Sequence, residues 1–217
     1  MLEIYLAYWG SRLPEDLEHE YLSRMPSAIC TAVGKYHRWE DRQATLFGKM
    51  LLQHALRNRM PEPLSLDRLE YTINKKPFIR DALGFNISHS EGVVALALVD
   101  DGEVGIDVEK IRPIGVEDFL RYMPELSGLP DLEAPEGAKL FFDCWTKKEA
   151  VLKGDGCGLM GALEQVYLRE DTAFFHEQAW RLMEINCVAA DCCYAATSEF
   201  HSDYKIQVID LFQEVQA

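Results

Sequence analysis

No run in this chain approaches the roughly 20 apolar residues that span a bilayer, so no ordinary transmembrane helix is expected. The opening MLEIYLAYWGSRLPEDLEHE has no basic segment ahead of its short apolar run, and it reads as no signal peptide. Positive charge is scarce: 22 Lys and Arg stand against 36 Asp and Glu, a net of −14. That balance opposes broad contact with nucleic acid or with an anionic membrane surface. Six cysteines are present (Cys30, Cys144, Cys157, Cys187, Cys192 and Cys193), but no CxxC pair is among them. Neighbours Cys192 and Cys193 are poorly placed to bridge each other, so reduced thiols in a cytoplasm are expected rather than a disulfide framework. The segment HEQAW at 176–180 lacks the second histidine of a zinc-protease helix, and no zinc site is expected. There is also no evident internal sequence repeat.

What remains is 217 residues of ordinary globular composition, 48% apolar and 27% charged, enough for one domain or two small ones. The charge is uneven. Residues 1–101 carry a net of −2 and residues 102–217 a net of −12, with the change falling at the turn Asp100-Asp101-Gly102. Within the first half, Lys35, Arg38, Arg42, Lys49, Arg57 and Arg59 face only Glu40 and Asp41 along the same stretch. A local basic segment in an acidic chain suits a small polyphosphate ligand better than a nucleic acid.

Hydrophobic spacing predicts a strand at the N-terminus, a helix over 14–25 and a stronger helix over 40–59, ended by Met60-Pro61. Strands are expected at 69–73, 85–87 and 93–99, with turns at 75–77 and 88–92. In the second half, a strand at 103–110 leads to a loop over 123–137 that holds three prolines and two glycines. A helix follows over 138–153, with Gly154 at its C-cap. Further strands are expected near 163–169, 179–187, 192–197 and 204–210. The expected fold is α+β, divided into units 1–101 and 102–217 of similar make-up, each a small sheet with one prominent helix.

Period two puts Asp107 and Glu109 on one face of their strand, while Val104, Ile106 and Val108 anchor the other. Paired carboxylates repel, and a divalent cation stabilises both in the ionised form; the plainer reading is an exposed acidic strand face. Glu149 and Lys153 share a helix face at i and i+4. As a surface ion pair they would be worth only about 0.3–0.5 kcal/mol. The functional alternative makes Glu149 a third metal ligand and Lys153 a phosphate contact. His89, between two serines, and Lys76, before a proline, are weak signals by themselves.

Taken in order, five segments resemble the 4′-phosphopantetheinyl transferase superfamily, in its Sfp-type group. NKKPFI (74–79) is like the family's GKP segment, and FNISHSEG (85–92) matches its FNxSHS motif. EVGIDVEK (103–110) matches (V/I)GxDxE, and FFDCWTKKEAVLKGDGCGL (141–159) matches WxxKEAxxK. DRQATLFGKMLL (41–52) resembles the preceding helix less specifically. The resemblance covers roughly residues 35 to 160.

It implies magnesium held by Asp107, Glu109 and Glu149, coenzyme A as substrate, and an apo acyl, peptidyl or aryl carrier protein as partner. His89 and Lys153 are implied as pyrophosphate contacts; Lys76, Ser88 and Thr45 as contacts to the nucleotide portion; Lys35, Arg38 and Arg42 as partners of the 3′-phosphate. Glu149 is the implied base for the acceptor serine, with a metal-bound hydroxide as the alternative. The two-unit length implies a monomeric pseudodimer. Two departures stand out: Lys75 occupies the usual glycine position and is a possible additional phosphate contact, and Ala44 replaces a common arginine, with Arg42 two residues earlier. Because carrier proteins are often acidic, an apolar docking patch is expected around 123–137, with Leu126, Leu129 and Leu132 as its members. Competing readings are a silent binder of coenzyme A or carrier, and a magnesium phosphodiesterase using the same acids.

Overall fold

The computed structural model describes residues 1–59, 65–80, 83–112, 117–120, 122–127, 134–158, 162–188 and 190–213. The chain opens with strand β1 (Leu2–Tyr8), then helices α1 (Glu15–Ser23), α2 (Ser27–Gly34) and α3 (Trp39–Arg59). A small hairpin of β2 (Glu70–Tyr71) and β3 (Pro77–Phe78) precedes β4 (Gly84–Ser90), β5 (Val93–Val99) and β6 (Val104–Glu109). The short α4 (Glu117–Leu120) leads to the long α5 (Pro135–Asp155). The chain then forms β7 (Tyr167–Arg169), β8 (Thr172–Phe175), β9 (Gln178–Glu184), β10 (Cys192–Thr197) and β11 (Tyr204–Val208). The fold is mixed α+β.

Two main sheets organise it. The first has the order β11-β1-β5-β4 and the second β6-β10-β9-β8-β7. Pairing is antiparallel except for β1 with β11, which are parallel with Ile4 opposite Ile206. The last strand thus returns to the first sheet. Alternation along β1, β5 and β6 explains the layering. Leu2, Ile4, Leu6, Val93, Ala95, Ala97 and Val99 meet Val104, Ile106 and Val108 in a core between the sheets. The other face of the first sheet, with Tyr5, Leu96 and Leu98, packs on Leu46, Phe47 and Leu51 of α3. Helix α5 covers the second sheet, where Ala150, Val151 and Leu152 meet Trp180 and Leu182.

Several boundaries differ from the sequence expectation, each for a local reason. Ser88-His89-Ser90 lies on β4, not in a turn, because the serine hydroxyls find partners across the sheet gap. Helix α5 runs through Gly154 and caps at Gly156, whose φ is 83°. Helix α2 and strand β8 were not expected; SAICTAVG is too short for a helical period to stand out, and β8 is a four-residue strand. Residues 163–165 form a 3-10 turn rather than strand. Leu126 is buried with Met123 and Phe141 in a small core, so it is not part of a docking patch. Leu129 and Leu132 lie outside the described residues. All six cysteines are free. Among the described residues, no helix is long and apolar enough to cross a membrane.

Candidate active site

Strands β4 and β6 are edges of different sheets, and side chains bridge them. Period two on β4 aims Asn86, Ser88 and Ser90 at β6. The Asn86 amide oxygen accepts from the Ile106 backbone N–H at 3.0 Å. The Ser88 hydroxyl donates to Asp107 Oδ1 at 2.9 Å, and Ser90 Oγ accepts from the Lys110 N–H at 3.3 Å. The polar alternation of FNISHS is therefore a stitch between the sheets. Its other face carries Phe85 and Ile87 toward α3, and His89 beside them.

Helix α5 is lowered onto β6 by two glycines. A Cβ on Gly105 would collide with the Ala150 carbonyl oxygen and the Gly154 nitrogen. One on Gly154 would stand 2.6 Å from the Trp180 ring. This close approach brings Glu149 and Lys153 over the acidic face of β6. Lys153 Nζ lies 2.5 Å from Asp107 Oδ1, 3.0 Å from Ser88 Oγ and 3.4 Å from Glu149 Oε2. Asp107 is 2% exposed and its Oδ2 is buried without a hydrogen-bond partner. Glu109 sits at the rim, half-buried, with Arg112 at 3.9 Å.

The electrostatics follow from crowding. Burial, then the Asp107 charge, push the Glu149 carboxyl up to about 7, with Lys153 opposing. Glu109 is raised by burial and by Asp107. Burial works against the Lys153 ammonium, but Asp107 and Glu149 outweigh it and hold it above the usual lysine value. His89 is lowered, first by desolvation and then by Lys153, against the pull of Asp41 and Asp107. Its imidazole is therefore neutral at pH 7.

No group of three His, Cys, Asp or Glu side chains among the described residues stands ready as a metal cage. The ammonium of Lys153 lies among the acids instead. The donor set nonetheless fits a hard divalent cation. Asp107 presents an unpartnered buried carboxylate oxygen, Glu149 is poised to ionise, and Glu109 borders them. Magnesium takes one or two carboxylates and fills the rest of its shell with water and phosphate oxygens.

Two cavities flank His89. One, of about 640 Å³, is walled by α2, α3, the β2–β3 hairpin and β4, and includes Lys35, Thr45, Lys49, Tyr71, Pro77 and His89. The other, of about 660 Å³, is polar and reaches Arg38, Asp41, Glu109 and Arg112. The remaining expected residues are placed less uniformly. Lys35 lines the first cavity from the end of α2. Thr45 also lines it, but its hydroxyl donates to the Asp41 carbonyl at 2.8 Å. Arg42 is paired with Glu18 of α1 and lines neither cavity. Lys75 and Lys76 line a smaller pocket of about 210 Å³ with Lys153 and Gly156. Lys76 is tied to Glu103 and to the Gly154 carbonyl, clamping the hairpin to the end of α5.

Sequence reasoning counted Lys49 only within the basic stretch suited to a polyphosphate, without a place at a cavity, and it missed Lys148 as a strut. Lys148 is fully buried, pairs with Glu125 at 2.8 Å and donates to the Tyr122 and Leu163 carbonyls at 3.1 Å. Its place inside WTKKEA was the available signal, but nothing distinguishes it there from a solvent lysine.

Comparison with known proteins completes the assignment. A family model described as the 4′-phosphopantetheinyl transferase superfamily matches residues 103–208. A second, described as 4′-phosphopantetheinyl transferase, N-terminal, matches residues 14–100. The 4′-phosphopantetheinyl transferase Sfp of Bacillus subtilis is 27% identical over 211 residues, covering 95% of this chain and 91% of that protein. The 4′-phosphopantetheinyl transferase HetI of Nostoc sp. is 28% identical over 197 residues, 82% of this chain and 81% of that protein. The 4′-phosphopantetheinyl transferase psf-1 of Bacillus pumilus is 33% identical over 133 residues, 59% of this chain and 57% of that protein. The chain belongs to the 4′-phosphopantetheinyl transferase superfamily, as a transferase of its Sfp-like type.

Proposed function

We propose that this enzyme moves 4′-phosphopantetheine from coenzyme A to a serine of an apo acyl, peptidyl or aryl carrier protein, with magnesium, and releases 3′,5′-ADP. The observation that carries the reading is the buried cluster of Asp107, Glu149 and Lys153, rimmed by Glu109 and opening beside His89.

In this reading the serine hydroxyl attacks the β-phosphorus of coenzyme A. The new bond joins serine oxygen to phosphorus, and the bond to the oxygen bridging the two phosphates breaks. The leaving group departs with that oxygen as 3′,5′-ADP, and the serine proton passes to Glu149. Without a cation, burial and Asp107 hold that carboxyl up to about 7, and a metal on the same group would lower it, which leaves a metal-bound hydroxide as the alternative base. Asp107, Glu149 and Glu109 would hold the metal, which when bound supplies countercharge to the pyrophosphate. Lys153 is within reach of both acids and of Ser88, so a modest swing of its side chain takes the ammonium to a phosphate oxygen. His89 donates to the pyrophosphate from the wall between the two cavities. Catalysis is thus positioning plus electrostatic stabilisation, as phosphoryl transfer requires.

The nucleotide lies on the 1–101 side and the acids on the 102–217 side. Each half contributes most of one sheet and one 21-residue helix, α3 or α5, with β11 of the second half completing the first sheet, and this supports a two-unit pseudodimer acting as a monomer. Six free cysteines accord with a cytoplasmic setting.

The test is incubation with coenzyme A, magnesium and several apo carriers, read by intact mass. One phosphopantetheine should be gained, and the gain should vanish with chelator and in Glu149→Gln. Loss of coenzyme A without any carrier would support the phosphodiesterase instead. Tight coenzyme A binding with no modification of any carrier would support the silent binder.

A further inference from the structure

The cavity of about 640 Å³ contains a cation that the family's motifs do not explain. Lys49 stands one helical turn after Thr45 on α3 and lines the cavity wall. A lysine on a helix normally extends its ammonium into water. Lys49 does not. Its ammonium lies 5.9 Å from the centre of the Tyr71 ring, and it makes no ion pair among the described residues. Desolvation alone brings it down to about 8.

Four of the neighbouring cations are already paired. Arg38 faces Glu40 at 3.6 Å, Arg42 holds Glu18, Arg59 holds Glu3 and Asp100, and Lys76 holds Glu103. The other titratable groups on the cavity wall are Lys35, Tyr36, Asp67, Tyr71 and His89. Of these Asp67 is the carboxylate, and its Oδ2 accepts from the Ser65 hydroxyl at 2.5 Å. An unneutralised ammonium in a largely apolar recess is unfavourable until an anion enters. The walls are flat and apolar enough for a purine: Pro26, Ile29, Tyr71 and Pro77 surround the space.

We propose that Lys49 is the specificity-determining residue for the nucleotide's 3′-phosphate: its ammonium meets that group, with Lys35 at the cavity mouth, so the enzyme selects coenzyme A over its 3′-dephosphorylated form. This assignment rests on the transferase reading for the identity of the ligand. It goes beyond that reading by moving the phosphate contact away from Arg42, whose guanidinium is taken by Glu18.

The experiment compares wild type, Lys49→Met and Lys49→Arg in the full chain. KM and kcat are measured with coenzyme A and with dephospho-coenzyme A, and calorimetry with 3′,5′-ADP gives affinity independently of turnover. In Lys49→Met the KM for coenzyme A and the Kd for 3′,5′-ADP should rise about 10- to 100-fold, the scale of one charge-assisted contact. KM for dephospho-coenzyme A should stay within about twofold, kcat should hold with both, and Lys49→Arg should recover most of the loss. Equal weakening toward both substrates, or no change toward either, overturns the assignment while leaving the transferase intact. A wild-type protein that binds neither compound and modifies no carrier sinks the transferase reading, and this one with it. Should Lys49→Met fail to fold, the ratio of the two KM values in Lys49→Gln decides in the same way.

Discussion

A carboxylate that takes a proton at neutral pH must be held where its charge is unwelcome. Glu149 is 6% exposed and faces Asp107, and its carboxyl stands near 7 instead of near 4.5. An acid raised by folding binds more protons in the native state than in the unfolded one across that interval. Stability therefore falls as pH rises from about 4.5 to 7, and the deficit remains above it. Removing the charge should relieve the deficit. With chelator present, Glu149→Gln should melt above wild type at pH 8, by on the order of 1–3 kcal/mol, and match it near pH 4.5. The same variant should be inactive. Thermal melts at the two pH values check this, and a lower melting temperature at pH 8 would show that the Lys153 pair outweighs the burial. The acids were legible in the sequence because period two and the i,i+4 spacing give faces directly. Their perturbation was not, since it depends on Asp107 and Glu149 meeting across a strand–helix contact. Lys75 is the converse case. Its φ of 66° lies in the left-handed region, which accounts for the glycine expected there by resemblance. A lysine in that conformation carries roughly 1–2 kcal/mol of strain.

At the scale of elements, the site depends on how closely α5 lies on β6. Gly105 and Gly154 set that distance, and the Cβ contacts of Gly105 would be with backbone atoms that cannot rotate aside. Gly105→Ala should push the helix outward, and Glu149 and Lys153 would move with it. Overpacking of this kind costs about 1–3 kcal/mol. A shift near 1 Å at the reacting groups costs about 100-fold in rate. Gly105→Ala should therefore lose far more kcat than its change in melting temperature explains, and full activity in a folded variant would refute the role given to this contact. The sequence identified β6 and α5 because hydrophobic spacing is strong there. It missed the strand character of Ser88-His89-Ser90, where polar residues imitate a turn. Their hydroxyl partners, Asp107 and the Lys110 N–H, come from another sheet, and no local pattern reveals them.

For the whole molecule, the shift in charge at Asp100-Asp101-Gly102 falls between β5 and β6, strands of different sheets that share one core. The core between the sheets takes Leu2, Ile4, Leu6 and Val93 from one side and Val104, Ile106, Val108 and Met183 from the other. In the whole chain each half buries its share against the other. The first sheet is also finished by the C-terminal strand, with β11 beside β1. Beyond it, the Tyr21 hydroxyl donates to the Leu211 carbonyl at 3.0 Å and Phe47 meets Phe212 edge-on at 6.0 Å. Sequence patterning recognised β11 as a strand and had no means of pairing it with β1, whose partner residues lie 202 positions earlier. Residues 1–101 expressed alone would expose one edge of β1 and the apolar face of a whole sheet. Such a surface far exceeds what a soluble monomer tolerates. The intact chain should unfold in urea as one transition, with circular dichroism and tryptophan fluorescence coinciding. That coincidence is informative because Trp9 and Trp39 report on the first half and Trp145 and Trp180 on the second. The fragments 1–101 and 102–217 should each lack a cooperative melt. A cooperative transition in either fragment would mean that its sheet and helix suffice, and that the shared core between the sheets is an interface rather than a condition of folding.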